Sequence, residues 1–181
     1  GNQGSIGPMD VLHKLFNENE VVILKMNPVN EYLGQYIVRA FRALIEGNYL
    51  SVVYGGAEVG QYICKHEAVD TIHITGSAKT HDAIVWGNED QQQQKDSGER
   101  VNSKHISSEL GCVTPILVVP GPWTEKDIDF QARQITSMVT QNASFNCNAG
   151  KVLVLPKGWE HTAPLKKRIE HHMRKKNARK A

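Results

Sequence analysis

The sequence predicts a parallel α/β fold, on three observations. Short runs of aliphatic and β-branched residues alternate with stretches whose apolar residues recur at helical spacing, the pattern of strands joined by right-handed helical crossovers. The early runs end in a lysine or in a glycine- or serine-bearing turn that leads into a helix. With 181 residues, 40% hydrophobic and 22% charged, the chain is globular in composition and long enough for a sizeable core.

Met9 to Phe16 places Met9, Leu12, Leu15 and Phe16 at helical spacing, with Pro8 suited to a first turn. Val21 to Met26 reads as a strand buried on both faces and carrying Lys25 near its end. Asn30 to Ile45 is expected as one amphipathic helix, with Tyr32, Tyr36, Ile37, Ala40, Phe41 and Leu44 on one side and Gly47 as its stop. Leu50 to Tyr54 is a second strand, running into Gly55-Gly56-Ala57-Glu58-Val59-Gly60, which opens a helix through Ile63. Thr71 to Ile74 is a third, ended by Thr75-Gly76-Ser77, and His81 to Trp86 is again helical. Residues 87–104, with the run Gln91-Gln92-Gln93-Gln94, are too polar to order themselves by apolar burial and are expected as an exposed inserted loop. Structure resumes at His105 to Gly111, followed by a buried strand over Pro115 to Val119 and a helix over Glu125 to Val139. A strand over Lys151 to Leu155 and a basic helix over Leu165 to Arg174 complete the order, with no internal repeat.

The net charge of +2 implies neither nucleic-acid nor membrane binding. Eight Lys or Arg between Lys166 and Lys180 read as a solvated helix edge rather than a nucleic-acid interface. Cys64, Cys112 and Cys147 are odd in number, far apart and without metal-like spacing. That points to a reducing, cytoplasmic setting rather than a disulfide framework, and to no metal site. Gly1-Asn2-Gln3-Gly4 opens without an initiator methionine, and no apolar stretch is long enough to span a bilayer. A piece of a longer polypeptide is expected.

In an open parallel sheet ligands collect beyond the carboxyl ends of the strands. Lys25, the Gly55 to Gly60 turn and Thr75-Gly76-Ser77 all fall there. Glycine lets the backbone approach a phosphate, and the following helix start holds its charge, so a dinucleotide is the expected ligand class. Cys147 stands between Asn146 and Asn148, directly before an apolar run, and is the nucleophile candidate. An isolated cysteine is otherwise a small buried hydrophobe. His73, on a strand, reads as a core or interface histidine rather than a catalyst.

Lys25 after a strand, Ile74-Thr75-Gly76-Ser77, Glu109-Leu110-Gly111 and Cys147 before a strand form an ordered set. It resembles the aldehyde dehydrogenase superfamily, whose motifs there are Phe-Thr-Gly-Ser, Glu-Leu-Gly-Gly and Gly-Gln-x-Cys. The resemblance implies a Rossmann-like dinucleotide-binding part over residues 1–110 and the beginning of an α/β catalytic domain over 111–181. It also implies Cys147 as nucleophile, Glu109 as general base and Asn2 as the oxyanion asparagine. Lys25 falls at the position that touches the adenosine ribose, Gly56 and Gly60 at the turn near the pyrophosphate, and Gly76 and Ser77 in the motif that contacts it. Leu110 lies at the position whose backbone is near the nicotinamide amide. NAD or NADP, a small aldehyde substrate and a homo-oligomeric parent follow from the same resemblance.

What the resemblance implies chemically is attack of Cys147 on an aldehyde, a thiohemiacetal, hydride loss to the cofactor, and a thioester hydrolysed by water that Glu109 activates. Two other readings stand beside it: acyl transfer to coenzyme A or reductive release of an aldehyde, and a binding or structural role for a truncated, inactive chain. The chain departs from the family pattern at Phe145-Asn146 before the cysteine, at Cys112 in place of a glycine, and at Met26-Asn27-Pro28 after Lys25. Pro28 stands where a carboxylate favouring unphosphorylated ribose is common, so NAD and NADP both remain open.

Overall fold

The computed structural model describes residues 3–176, which divide into two compact units, the first ending at Leu110 and the second beginning at Gly111. Asn2 lies outside the described residues. In the first unit α1 (Ile6–Phe16) precedes β1 (Val22–Lys25), and α2 (Gly34–Ala40) and α3 (Arg42–Glu46) lead to β2 (Leu50–Val53). Then follow α4 (Ala57–Lys65), β3 (Thr71–Gly76), α5 (Ala78–Trp86), α6 (Gln91–Ser97) and β4 (His105–Leu110). The second unit contains β5 (Pro115–Leu117), α7 (Glu125–Thr140), β6 (Val152–Val154) and α8 (Thr162–Arg174).

Every strand pair is parallel, as the alternation of strands and helices requires: β1 with β2, β3 with β4, and β5 with β6. They form separate two-stranded ladders among the described residues. The strands are less covered than their apolar runs suggest. Ile23 is 50% exposed, and Leu117 and Val119 are 70% and 75% exposed, because helices pack on one face of each pair and leave the other open. The expected burial of these strands on both faces is therefore corrected to burial on one.

The single helix expected over Asn30 to Ile45 is broken. A 3-10 turn over Pro28–Leu33, started by Asn27 accepting the Val29 N–H at 2.9 Å, gives way to α2, and Phe41 (φ −102°, ψ 24°) interrupts the helix before α3. Tyr32 and Tyr36 are each 63% exposed, and the buried positions are Gly34 and Ile37. Gly34 sets the face: a Cβ there would lie 2.1 Å from the Tyr54 hydroxyl, so the tyrosine ring beyond β2 occupies the space of the missing side chain. Close approach of this kind is what glycine allows.

Residues 87–104 are exposed in large part but ordered, with α6 at their centre, which corrects the expected loop. Polar contacts supply what apolar burial does not. Lys95 pairs with Asp82 at 2.7 Å, the N–H groups of Val101 and Asn102 donate to the Val85 carbonyl, and the buried Asn102 amide donates to the Cys64 carbonyl at 3.1 Å. Burial of Lys14 in α1 is balanced in the same way, by Glu18 and by Glu20 at 3.3 Å.

The second unit has the clearest core. Ile128, Ala132 and Ile135 repeat at helical spacing on α7 and meet Leu165 and Ile169 of α8, with Ile116, Leu153, Trp123 and Trp159 packed around them. The Trp rings meet edge to face at 4.8 Å. Thr124 and Asp127 form a reciprocal capping box that fixes the start of α7, and His172 pairs with Asp129 at 2.9 Å between the two helices. Leu165 is 0% exposed, so Leu165→Ala is expected to cost about 2–5 kcal/mol. Urea unfolding followed by tryptophan fluorescence will measure it.

Candidate functional site

In the first unit the predicted cofactor residues collect at strand ends. The register pairs Lys25 with Val53, so the lysine stands beside the exit from β2 into the glycine turn. Gly55 has φ +130°, in the region that favours glycine, and a Cβ there would lie 2.4 Å from Val59 Cγ2. Gly56 caps α4, and its N–H donates to the Glu58 carboxylate at 3.0 Å. The Glu58 backbone N–H and then that of Gly56 hold this carboxyl below its ordinary range, and the Lys25 charge adds to the effect. A carboxylate oxygen thus occupies an anion position at a helix start, with a lysine charge nearby. Gly60 is not in the turn; it lies within α4, its N–H donating to the Gly56 carbonyl at 3.3 Å, and a Cβ there would meet nothing within 4 Å.

The ladder of β3 and β4 pairs Thr75 with Glu109 and Gly76 with Leu110, so the two recognised motifs end side by side. Ser77 caps α5, its hydroxyl accepting the Thr80 N–H at 3.1 Å. Glu109 is exposed on this chain, whereas the general base that the resemblance implies would favour partial burial. His73 is held by Ser107 at 2.9 Å and Thr75 at 3.2 Å, and Thr75 donates to Asp10 of α1 at 3.0 Å. These bonds tie α1 to the sheet, the interface role read from the sequence.

In the second unit Cys147 is exposed, which removes the buried-hydrophobe reading. It sits in a turn after α7, not at a helix start, and the preceding residues Asn142, Ala143 and Ser144 all have positive φ, at 47°, 53° and 66°. Such a run is costly for residues carrying a Cβ and persists only where the surroundings enforce it. Asn146 is buried and its side-chain oxygen accepts from Asn142 at 3.1 Å. Lys151 Nζ donates to the carbonyls of Asn146 at 3.1 Å and Ala149 at 3.0 Å, bracketing the cysteine. Phe145 is largely exposed beside it.

Sequence reasoning missed Lys151, Thr114 and Glu58. Lys151 read as the first residue of a strand, although a lysine four residues after a cysteine is close enough to organise the turn. Cys112-x-Thr114 has the spacing at which a hydroxyl and an N–H fold back on a preceding side chain. They do so here, and the Thr114 hydroxyl, then its N–H, lower the Cys112 thiol below the usual range, with the Lys151 charge contributing. Burial instead pushes the Cys64 thiol up. Among the described residues no group of three His, Cys, Asp or Glu is placed to hold a metal.

The described residues thus form a parallel α/β chain with glycine and serine helix starts at its strand ends and an exposed thiol before β6. The model of the aldehyde dehydrogenase family matches residues 10–178, and the chain belongs to that family. Over 138 residues it is 28% identical to N-succinylglutamate 5-semialdehyde dehydrogenase 1 of Caulobacter vibrioides, covering 76% of this chain and 26% of the relative. It is 30% identical over 134 residues to D-glyceraldehyde dehydrogenase (NADP(+)) of Thermoplasma acidophilum, covering 73% and 24%. The chain therefore spans about a quarter of the length of the curated relatives it matches. A solved indole-3-acetaldehyde dehydrogenase variant of P. syringae, in complex with NAD+, shares the fold with a TM-score of 0.65 at 21% identity, over 90% of this chain and 30% of that one.

The left-handed run before Cys147 gives a direct test. Removing the Ala143 Cβ relieves about 1–2 kcal/mol of backbone strain, offset by about 0.4–1 kcal/mol of added freedom in the unfolded chain. Ala143→Gly is thus expected to raise stability by up to about 1.6 kcal/mol, and Ala143→Val to lower it. Denaturant midpoints of the two variants will show whether they fall on opposite sides of the unsubstituted chain.

Proposed function

We propose that the polypeptide carrying this chain oxidises a small aldehyde to a carboxylic acid with NAD or NADP, using Cys147 as nucleophile. The observation that carries this reading is an exposed thiol in an enforced turn before β6, in a chain of this family. Cys147 Sγ forms a bond to the aldehyde carbon, and the resulting oxyanion is held by the Cys147 N–H and the Asn2 amide. Collapse of that adduct expels hydride and leaves a thioester on Cys147. The bound nicotinamide supplies the hydride acceptor. Glu109 takes a proton from water as it attacks the thioester, and the acid leaves with Cys147 restored as thiolate.

The first unit supports the cofactor half of the reading. Gly56 and Ser77 cap helix starts of the kind that hold phosphate, and Glu58 already seats a carboxylate at one of them. Lys25 is assigned to the ribose, Gly56, Gly60, Gly76 and Ser77 to the pyrophosphate region, and the Leu110 backbone to the nicotinamide amide. Glu58 restores a negative charge near Lys25 that Pro28 does not supply, which favours NAD over NADP. The unpaired cysteines support a reducing, cytoplasmic setting, and the open apolar faces of the strand pairs support further covering surface, in a homo-oligomer. No helix among the described residues is long and apolar enough to cross a membrane.

In the complete polypeptide, Cys147→Ala is expected to lower aldehyde-dependent cofactor reduction by roughly 10⁴-fold or more. Glu109→Gln is expected to keep one burst of reduced cofactor and then stall, whereas unimpaired turnover with coenzyme A as acceptor would assign the acyl-transfer chemistry instead. Cys147→Ala with full steady-state activity overturns the assignment. Glu58→Gln is expected to shift the NADP to NAD ratio of kcat/KM upward by roughly fivefold, the scale of one charge contact at about 4 Å fully screened by water. The 181-residue chain alone is expected to show no turnover.

A further inference from the structure

Cys112 and Cys147 are connected through one hydroxyl. Thr114 Oγ1 lies 2.9 Å from Cys112 Sγ and donates to the Cys147 carbonyl oxygen at 3.3 Å, while the Thr114 N–H donates to Cys112 Sγ at 3.2 Å. Both cysteines are exposed, in the same unit, whereas Cys64 is half-buried in the other. The Lys151 N–H donates to the Thr114 carbonyl at 3.2 Å, so the lysine that brackets Cys147 also ties down the Cys112 segment.

We propose that Cys112 and Cys147 are a redox pair, in which a hydroperoxide oxidises Cys112 and the two sulfurs then close a reversible disulfide. The Thr114 hydroxyl has a single proton. With Cys112 as a thiol, the S–H donates to Oγ1 and Oγ1 donates to the Cys147 carbonyl. With Cys112 as a thiolate, the hydroxyl turns its proton to the sulfur and the Cys147 carbonyl is released. Ionisation therefore prepares the attacking sulfur and frees the segment that must approach it. Thr114 itself has φ 43°, a region that a β-branched residue rarely adopts, so movement of this segment begins from a strained backbone.

The chemistry balances with a hydroperoxide as oxidant. The Cys112 thiolate attacks one peroxide oxygen, an S–O bond forms, the O–O bond breaks, and the other oxygen leaves as an alcohol or water after taking a proton. Cys112 is oxidised by two electrons and the peroxide is reduced. Cys147 sulfur then attacks Cys112 sulfur; the S–S bond forms, the S–O bond breaks, and the hydroxyl leaves as water with the proton that Cys147 gives up. A thiol reductant reverses the bond. Formation of the pair depends on the two thiols alone. Its consequence, a nucleophile protected from irreversible oxidation, rests on the reading of Cys147 given above.

The test is thiol mapping of the full chain after hydrogen peroxide, with iodoacetamide blocking before digestion and mass spectrometry. A Cys112–Cys147 linked peptide is expected, with Cys64 alkylated and both linked cysteines recovered by dithiothreitol. Cys112→Ser is expected to lose the linked peptide entirely and to leave Cys147 at the sulfinic stage, which dithiothreitol does not reverse. Absence of the linked peptide in the unsubstituted chain, or a link through Cys64, overturns the pair. Without oxidant, alkylation of Cys112 is expected to reach half its maximal rate at lower pH than that of Cys64, since the thiolate is the reacting form; the reverse order overturns the role given to Thr114. In the complete polypeptide, peroxide inactivation reversed by dithiothreitol only when Cys112 is present supports the protective role. A reversible link in a protein whose Cys147→Ala variant stays active leaves the pair standing and rejects Cys147 as nucleophile.

Discussion

Parallel pairing obliges each strand to deliver its last residue to the same edge as its partner's, and the possible site in the first unit follows from that geometry. Because β1 and β2 run together, Lys25 stands beside the exit into Gly55 and Gly56. Because β3 and β4 run together, Gly76 and Leu110 finish side by side, and Ser77 can cap α5 directly above them. An antiparallel pair would send one of each couple to the opposite end of the sheet. The helix starts are then placed where anions are held, and Glu58 shows this by folding its own carboxylate onto one of them.

Much of this was legible in the residues themselves. The strand and helix order, the parallel arrangement and the family followed from apolar spacing and from a few motifs in sequence order. Burial was harder to read, because an apolar run records what a strand can pack against and not whether one face stays open, as Ile23, Leu117 and Val119 do. The helix over Asn30 to Ile45 misled for a related reason: its tyrosines imitate a core face, whereas Gly34, contributing no side chain, makes the contact with Tyr54. Residues 87–104 were misread because Asn102, Lys95 and Asp82 order the segment through polar contacts that composition does not reveal.

For the candidate site the same division holds. Cys147, Glu109 and the glycines were singled out by motif, because a motif fixes residue identity at stated positions. Thr114 and Lys151 were not, because they act by donating to backbone carbonyls and to a neighbouring sulfur, which depends on conformation rather than on pattern. Lys151 reaches both sides of the Cys147 turn with one ammonium, so a single flexible side chain does the work that a strand ladder does elsewhere.

The left-handed run from Asn142 to Ser144 also limits how this part of the molecule can evolve. Asparagine, serine and alanine tolerate that backbone better than branched side chains, which meet their own carbonyls there. Phe145, by contrast, has ordinary helical backbone angles and an exposed ring, so its side chain can be exchanged without that backbone cost. Beside the thiol, then, the aromatic position is open to change and the three residues before it are nearly closed to branched side chains.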